Sequence, residues 1–400
     1  MKPVEDQLSI IQRGAVSIIE ESELREKLSR GIPLRVKLGV DPTASDLHLG
    51  FTVILRKLRQ FQDLGHQAVL IIGSYTAQVG DPSGRDKTRP QLSEEIVLEN
   101  AETYLRQAAK ILDLDSLEVR YNGDWFSSMT FIEVIHLLSR TTVARTLERE
   151  DFSSRYTAGT PIYLHEVVYP LMQGYDSVAI NADIELGGTD QTFNLMVGRD
   201  LQRENGQEPQ VCITMPLLEG LDGVRKMSKS YDNYVGIAEE PKEMFGKLMS
   251  ISDDLMWKYY ELLTDIPLDE LASLKQGIEN GTLHPMDIKK RLAEEIISFY
   301  HDTDAAGNAR KEFEQVFSNR ELPSDIPEYT LQDKTAGDLD VISLICDAGL
   351  VPSKSEARRM IQQGGVSIDN AKISSFSIPM PEQEQFVVKV GKRKFLKVNK

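Results

Sequence analysis

The chain is predicted to be an α/β protein. A parallel-sheet domain is expected at residues 1–235, an α-helical domain at 236–320, a linker at 321–336 and a small α+β domain at 337–400. Three observations carry this. Leu34, Val36, Leu38 and Val40 alternate at period two, and beyond Leu49–Gly50 the apolar residues Val53, Leu55, Leu58, Phe61 and Leu64 switch to helical spacing. Gln67–Gly73 is then a short continuous apolar run, the pattern of a strand covered on both faces of a parallel sheet. Residues 240–318 are rich in Leu, Ile, Lys and Glu at helical spacing, until Pro323 and Pro327 break the pattern.

Four hundred residues bury a sizeable core, and 40% hydrophobic with 27% charged residues is the composition of an ordinary globular protein. No apolar run is long enough to span a bilayer. Met1–Ile11 carries early acids and no apolar core behind a basic patch, so no signal peptide is expected and the cytoplasm is the default location. Cys212 and Cys346 are expected as buried reduced thiols rather than a disulfide or zinc site. The net charge of −16 argues against indiscriminate nucleic-acid binding. Residues 340–400, however, hold ten Lys/Arg against six Asp/Glu, a basic tail on an acidic body that suggests one local polyanion contact.

Residues 1–33 read as a helical arm. The strand that follows ends at Asp41-Pro42-Thr43, because proline fixes φ and offers no N–H. His48 and Gly50 stand where the next helix begins. That junction is either a plain corner or an anion site, since a helix start carries unpaired N–H groups. Strand, helix and the Gln67–Gly73 strand make a right-handed crossover, whose C-terminal strand ends are where ligands bind. The next loop contains Gly80-Asp-Pro-Ser-Gly84 and then Arg85, Lys87 and Arg89; it is a solvated turn or a basic loop reaching phosphates. Ser93 is expected to cap a helix running to about Leu112, and Thr130-Phe-Ile-Glu133 a capping box.

Residues 125–165 interrupt the alternation and read as an insertion, either a dimer surface or ordinary core. Tyr169, Gln173 and Asp176 then fall on one helical face among apolar neighbours, which favours a polar pocket wall over a solvated face. Val178–Ile184 is a candidate strand. Gly187-Gly188 before Asp190 suits close approach of a sugar or base, or a glycine-rich turn. After a strand at Val211–Leu217, Lys226 and Lys229 lie three apart in a polar loop, able to clamp a polyphosphate or to sit in any exposed turn. The last domain carries a Ser353–Glu356 capping box, a helix with Arg358 and Arg359, and strands near 366–368, 386–390 and 394–398.

Taken in order, these pieces carry a resemblance. His48-Leu-Gly-Phe51 resembles the first signature of class I aminoacyl-tRNA synthetases, and Lys226-Met-Ser-Lys-Ser230 matches the second. Tyr169, Gln173, Asp176, Gly187-Gly-Thr-Asp-Gln191 and the Gly80–Gly84 loop are similar to the tyrosine-specific branch. The last sixty residues resemble a small RNA-binding domain of ribosomal-protein type.

The resemblance covers the whole chain and implies a Rossmann-type catalytic domain, ATP and L-tyrosine as substrates, tRNA(Tyr) as partner and a homodimer. Mg2+ is implied only as the companion of ATP, without a protein site of its own. Asp176 would accept the substrate phenol O–H. Tyr169, Asp81 and Gln173 would hold the α-amino group, with Asp41, Thr76 and Gln191 lining the pocket. Thr43 and His48 would face the γ-phosphate. Gly50, Gly188 and Asp190 would hold adenosine, Met227, Ser228 and Ser230 would also bind ATP, and Lys226 and Lys229, with Arg85 and Arg89, would wrap the departing pyrophosphate. Lys354, Arg358, Arg359, Lys392, Arg393 and Lys394 would meet tRNA.

Two positions depart from the pattern. Phe51 replaces the second signature histidine. Lys37 stands where another bacterial branch has a tyrosine on the phenol; it is expected to donate to the phenol oxygen or pair with Asp176, the alternative being a lysine turned away. A tryptophan-charging relative, a small nucleotidyltransferase and a non-catalytic RNA-binding paralogue are the competing readings.

Overall fold

A computed structural model describes residues 1–42, 46–82, 93–318, 326–331, 337–369, 371–381, 383–391 and 394–400. The chain divides into two compact units, Met1–Glu240 with Lys247–Asp302, and Pro241–Gly246 with Thr303–Lys400. The expected helical domain at 236–320 is therefore not a unit of its own: its middle belongs with the sheet and its last helix with the C-terminal unit.

The first unit is built on six strands: β1 Ser17–Ile19, β2 Arg35–Val40, β3 Gln67–Ile72, β4 Glu118–Tyr121, β5 Ile184–Gly188 and β6 Val211–Met215. Their order is β1-β6-β5-β2-β3-β4, parallel throughout except for β1 on the edge. Strands β3 and β6 are buried on both faces, as the continuous apolar runs require. The chain winds outward from β2 to β3 and β4, then returns to add β5 and β6 on the other side. The winding reverses between β2 and β5, and ligands bind in the crevice at such a point, beyond the C-terminal strand ends.

Local signals explain the frame. The Leu49–Asp63 helix stops where Gly65 adopts φ +89°. Ser93 caps Glu94–Ala108 by accepting from Ile96 N, and Glu133 accepts from Thr130 N at the head of Phe131–Leu138. Two expectations are corrected and one strand is added. Val178–Ile184 is not a strand: the Leu164–Ile180 helix continues through it, closed by Asn181 at φ +51°, and the strand begins at Ile184. The arm at 1–33 contains strand β1, and strand β4 lies at Glu118–Tyr121, where no element was expected. Cys212 is a buried free thiol as expected, whereas Cys346 is only partly buried.

In the second unit, a five-stranded sheet is ordered β10-β9-β12-β13-β7, from Glu328–Thr330 (β7), Val366–Ile368 (β9), Ala371–Lys372 (β10), Gln385–Val390 (β12) and Lys394–Asn399 (β13). A two-stranded ladder pairs Asp338–Asp340 (β8) with Ser377–Pro379 (β11). Strand β7 falls inside the expected linker but pairs in parallel with β13, so the sheet begins there. Helices Val341–Asp347 and Lys354–Gln362 cover a core of Ile345, Ile361, Val366, Phe386, Val388 and Val398.

Candidate active site

A cleft of about 470 Å³ opens at the point where the winding reverses. Its walls come from the end of β2 (Asp41), the helix start at His48–Phe51, the Leu164–Ile180 helix (Tyr169, Gln173), the end of β5 (Gly188, Asp190, Gln191) and the Lys226–Ser230 loop. Residues far apart in the chain thus share one cavity because the ends of β2, β5 and β6 and two helix faces meet there.

At one end the cavity is lined by an ordered polar network. Tyr169 Oη donates to Asp41 Oδ2 (2.8 Å) and Thr76 Oγ1 to Asp41 Oδ1 (2.8 Å). Gly73 makes room for this: a Cβ there would lie 2.0 Å from Asp41 Oδ1. Gln191 Nε2 donates to Asp81 Oδ2 (2.9 Å), and Asn194 Nδ2 to both Gln173 Oε1 and Gln191 Oε1 (2.9 Å each). Asp176 lies behind the wall, one helical turn beyond Gln173, and is 3% exposed. Trp125 Nε1 donates to its Oδ1 (3.0 Å) and Asn122 Nδ2 to its Oδ2 (3.3 Å). Burial drives the Asp176 carboxyl up to about 7, against the pull of the Lys37 charge and these two hydrogen bonds.

Lys37 does not do what was expected of it. Its ammonium pairs with Glu185 (2.9 Å) and donates to Gln173 O (2.7 Å) and Ser177 Oγ (2.8 Å), so it neither pairs with Asp176 nor lines the cleft. The reason is register: Lys37 and Glu185 are Cα partners on β2 and β5.

The same cavity is lined by His48 and by two lysines, each paired with a carboxylate. His48 precedes the Leu49–Asp63 helix, bridged to Gly236, and its Nδ1 is buried without a hydrogen-bond partner among the described residues. Burial, helped by the charge of Lys229, pulls the ring down to about 4, so the imidazole is neutral at pH 7. A Cβ on Gly50 would crowd His48 Nδ1 and Met227 Cβ at 3.1 Å, and the Gly50 N–H donates to the Met227 sulfur (3.2 Å). Lys226 Nζ lies 3.4 Å from Asp190 Oδ2 and Lys229 Nζ 2.8 Å from Asp46 Oδ2. Ser228 Oγ accepts from Ser230 N, and Ser228 N donates to Asn233 Oδ1 (2.8 Å), holding the loop's shape. Phe51 offers no polar atom and packs edge-on against Tyr104, centroids 5.5 Å apart. Thr43, Arg85 and Arg89 lie outside the described residues.

In the C-terminal unit Lys354, Arg358 and Arg359 stand exposed on one helix. Arg359 is shared with Glu356 (2.6 Å), and Lys394 Nζ donates to Leu350 O (2.6 Å). Lys392 and Arg393 lie outside the described residues.

The sequence reading missed Asn122, Trp125, Asn194 and Glu185. Asn122 and Trp125 follow β4 directly, so recognising that strand would have flagged its C-terminal end.

Comparison with known proteins agrees with this geometry. A family described as tRNA synthetases class I (W and Y) matches residues 29–318, and one described as the tyrosine–tRNA ligase SYY-like C-terminal domain matches 315–398. The chain is 53% identical to a tyrosine–tRNA ligase of Moorella thermoacetica, covering 98% of this chain and 95% of that one. It is 54% identical to that of Francisella tularensis, covering 100% and 99%. Among solved structures, a tyrosyl-tRNA synthetase of Archaeoglobus fulgidus complexed with L-tyrosine superposes with a TM-score of 0.64 at 22% identity, over 76% of this chain and 99% of that one, a likeness of fold. With half its residues shared over essentially the full length, the chain belongs to the tyrosine–tRNA ligases of class I.

Proposed function

We propose that the cleft activates L-tyrosine with ATP to tyrosyl-AMP and pyrophosphate, then passes the tyrosyl group to the 3′-terminal adenosine of tRNA(Tyr). The observation that carries this is one cavity lined both by a hydrogen-bonded polar wall and by Lys226 and Lys229. The tyrosine carboxylate is already a nucleophile, so attack on the α-phosphorus needs no general base. Catalysis then comes from orientation and from positive charge aimed at the departing pyrophosphate.

In this reading Asp176 accepts from the phenol, while Tyr169, Asp81 and Gln173 meet the α-ammonium beside Asp41, Thr76 and Gln191. Phenylalanine is rejected because it leaves a buried acceptor unmatched, an effect for which tyrosyl enzymes are the standard illustration. His48, neutral, donates toward the phosphates. Gly50, Gly188 and Asp190 receive the nucleoside. Lys226 and Lys229 exchange their carboxylate partners Asp190 and Asp46 for phosphate oxygens. Mg2+ arrives as part of the ATP substrate. Arg85, Arg89 and Thr43 complete the phosphate side.

The basic face of Lys354, Arg358 and Arg359, with Lys392–Lys394, is proposed to meet tRNA. A second copy of the chain is proposed to cover Phe131, Ile132, Val143 and Leu164, all more than half exposed. Among the described residues no helix is long and apolar enough to cross a membrane, and the cytoplasm is the proposed location.

Tyrosine-dependent ATP–pyrophosphate exchange tests the reading. Lys229→Ala is expected to slow exchange about 10²–10³-fold, the usual loss for one preorganised charge-stabilising donor, with tyrosine affinity unchanged. Exchange with tryptophan alone, or none with either amino acid, overturns it.

A further inference from the structure

Behind the cleft wall lies an ion pair that no step of the reaction uses. Lys37 and Glu185 are 0% exposed, and Nζ stands 2.9 Å from Oε1. Burying two charges costs desolvation, and apolar packing often serves stability as well. Where the pair's remaining hydrogen bonds go is therefore informative.

Two of them meet one residue of the cleft, and the others hold the pair to Ser177 and Gln210. Lys37 holds the main-chain oxygen of Gln173 (2.7 Å), and Glu185 Oε1 accepts from the Gln173 side-chain nitrogen (3.2 Å). Glu185 Oε2 accepts from Ser177 Oγ (3.1 Å) and from Gln210 Nε2. An ionised carboxylate only accepts, so the amide nitrogen of Gln173 has to face it. The amide oxygen then faces the other way and takes one hydrogen bond from Asn194 Nδ2 (2.9 Å). Asn194 is fixed in turn, because Arg149 Nη1 donates to its Oδ1 (3.3 Å). One lone pair of the Gln173 oxygen is left for the cleft the residue lines.

We propose that the Lys37–Glu185 pair is a positioning device that locks the Gln173 amide with its oxygen toward the substrate, so that the α-ammonium of tyrosine meets an acceptor. A flipped amide would set NH₂ against NH₃⁺, donor against donor. The inference rests on Gln173 being an ammonium contact, as proposed above. Lys37 acts here through Glu185, holding its carboxylate in place.

The test is the paired substitution Lys37→Met with Glu185→Gln. It is uncharged and keeps an oxygen toward Gln210 and Ser177, but turns an NH₂ toward Gln173, which must flip. Dissociation constants are measured by equilibrium dialysis for tyramine, which has the ammonium, and for 3-(4-hydroxyphenyl)propanoate, which lacks it. Tyramine is expected to bind about 10- to 100-fold more weakly, the loss of one hydrogen bond to a charged group, while the propanoate does not move. Equal weakening of both ligands would make the pair a structural strut, and no weakening would make it irrelevant; either overturns the proposal.

If thermal unfolding shows the paired variant unfolded, Lys37→Met with Glu185→Leu fills the site with apolar atoms and frees the amide, and the same ratio must fall. Gln173→Met separates the two levels. A ratio unchanged in that variant removes the ammonium contact and the inference with it. A ratio lowered there but not in the paired variant removes the inference alone.

Discussion

Tyrosine binding should depend on pH with a midpoint near 7, because burial drives the Asp176 carboxyl up to about 7. The groups facing it are Lys37 on β2, Glu185 on β5, and the neutral donors Asn122 and Trp125 beyond β4. A phenol O–H donates well to the carboxylate and poorly to the protonated acid, so binding selects the ionised form. With a midpoint of 7, about nine-tenths of the sites are ionised at pH 8 and about one-tenth at pH 6, and tyrosine affinity should fall about tenfold between them. Phenylalanine has nothing to donate, so its weak binding should not fall with it. The assay is equilibrium binding of labelled L-tyrosine without ATP, whose terminal phosphate titrates in the same window. His48 stays outside that window, held near 4.

The same shift has a consequence for stability, of opposite sign. The unfolded chain ionises Asp176 near 3.8 and the folded chain near 7. Between these values the folded state binds more protons, so stability falls as pH rises from about 4 to 7 and stays reduced above. The span corresponds to a cost on the order of 4 kcal/mol at pH 8. Asp176→Asn should therefore melt higher at pH 8 and lose its advantage by pH 4, while losing the pH dependence of tyrosine binding. A flat tyrosine profile from pH 6 to 8, or the same slope in Asp176→Asn, would refute the argument.

Two further outcomes are expected away from the cleft. Lys57 Nζ donates to Ile10 O (3.0 Å), Ile11 O (3.0 Å) and Arg13 O (2.9 Å) at the end of the Val4–Gln12 helix, so Lys57→Met should cost about 2–4 kcal/mol in thermal unfolding by leaving carbonyls unmet, with exchange intact at low temperature. Lys354→Ala with Arg358→Ala should raise the KM for tRNA and lower its salt dependence by a slope of roughly 1–2, two phosphate contacts, with pyrophosphate exchange unchanged as the control.

What could be read from the chain alone was what is local. The strand-to-helix switch at Leu49, the doubly buried β3 and the lysines at 226 and 229 each declare themselves within a few residues, and each lies where the structure puts a strand, a helix start or a cleft wall. Two short strands escaped for a physical reason. Ser17–Ile19 has three residues, too few to display a period of two, and Glu118–Tyr121 has all four half-buried, which blurs the alternation. Missing β4 hid Asn122 and Trp125, which carry no signal of their own.

Lys37 shows the deeper limit. Its place in an alternating strand puts it with Arg35 and Gly39, apparently the polar side. Yet Arg35 is half-buried, Lys37 fully buried and Gly39 exposed, because helices cover a parallel sheet unevenly. Whether a buried lysine is a liability or a device depends on its partner, and the partner lies 148 positions away in a neighbouring strand. Register between distant strands is a property of the assembled sheet and leaves no mark in either segment. The motif residues were legible because their chemistry constrains each by itself. The residues that aim them were not, because each is constrained only by another residue the fold brings beside it.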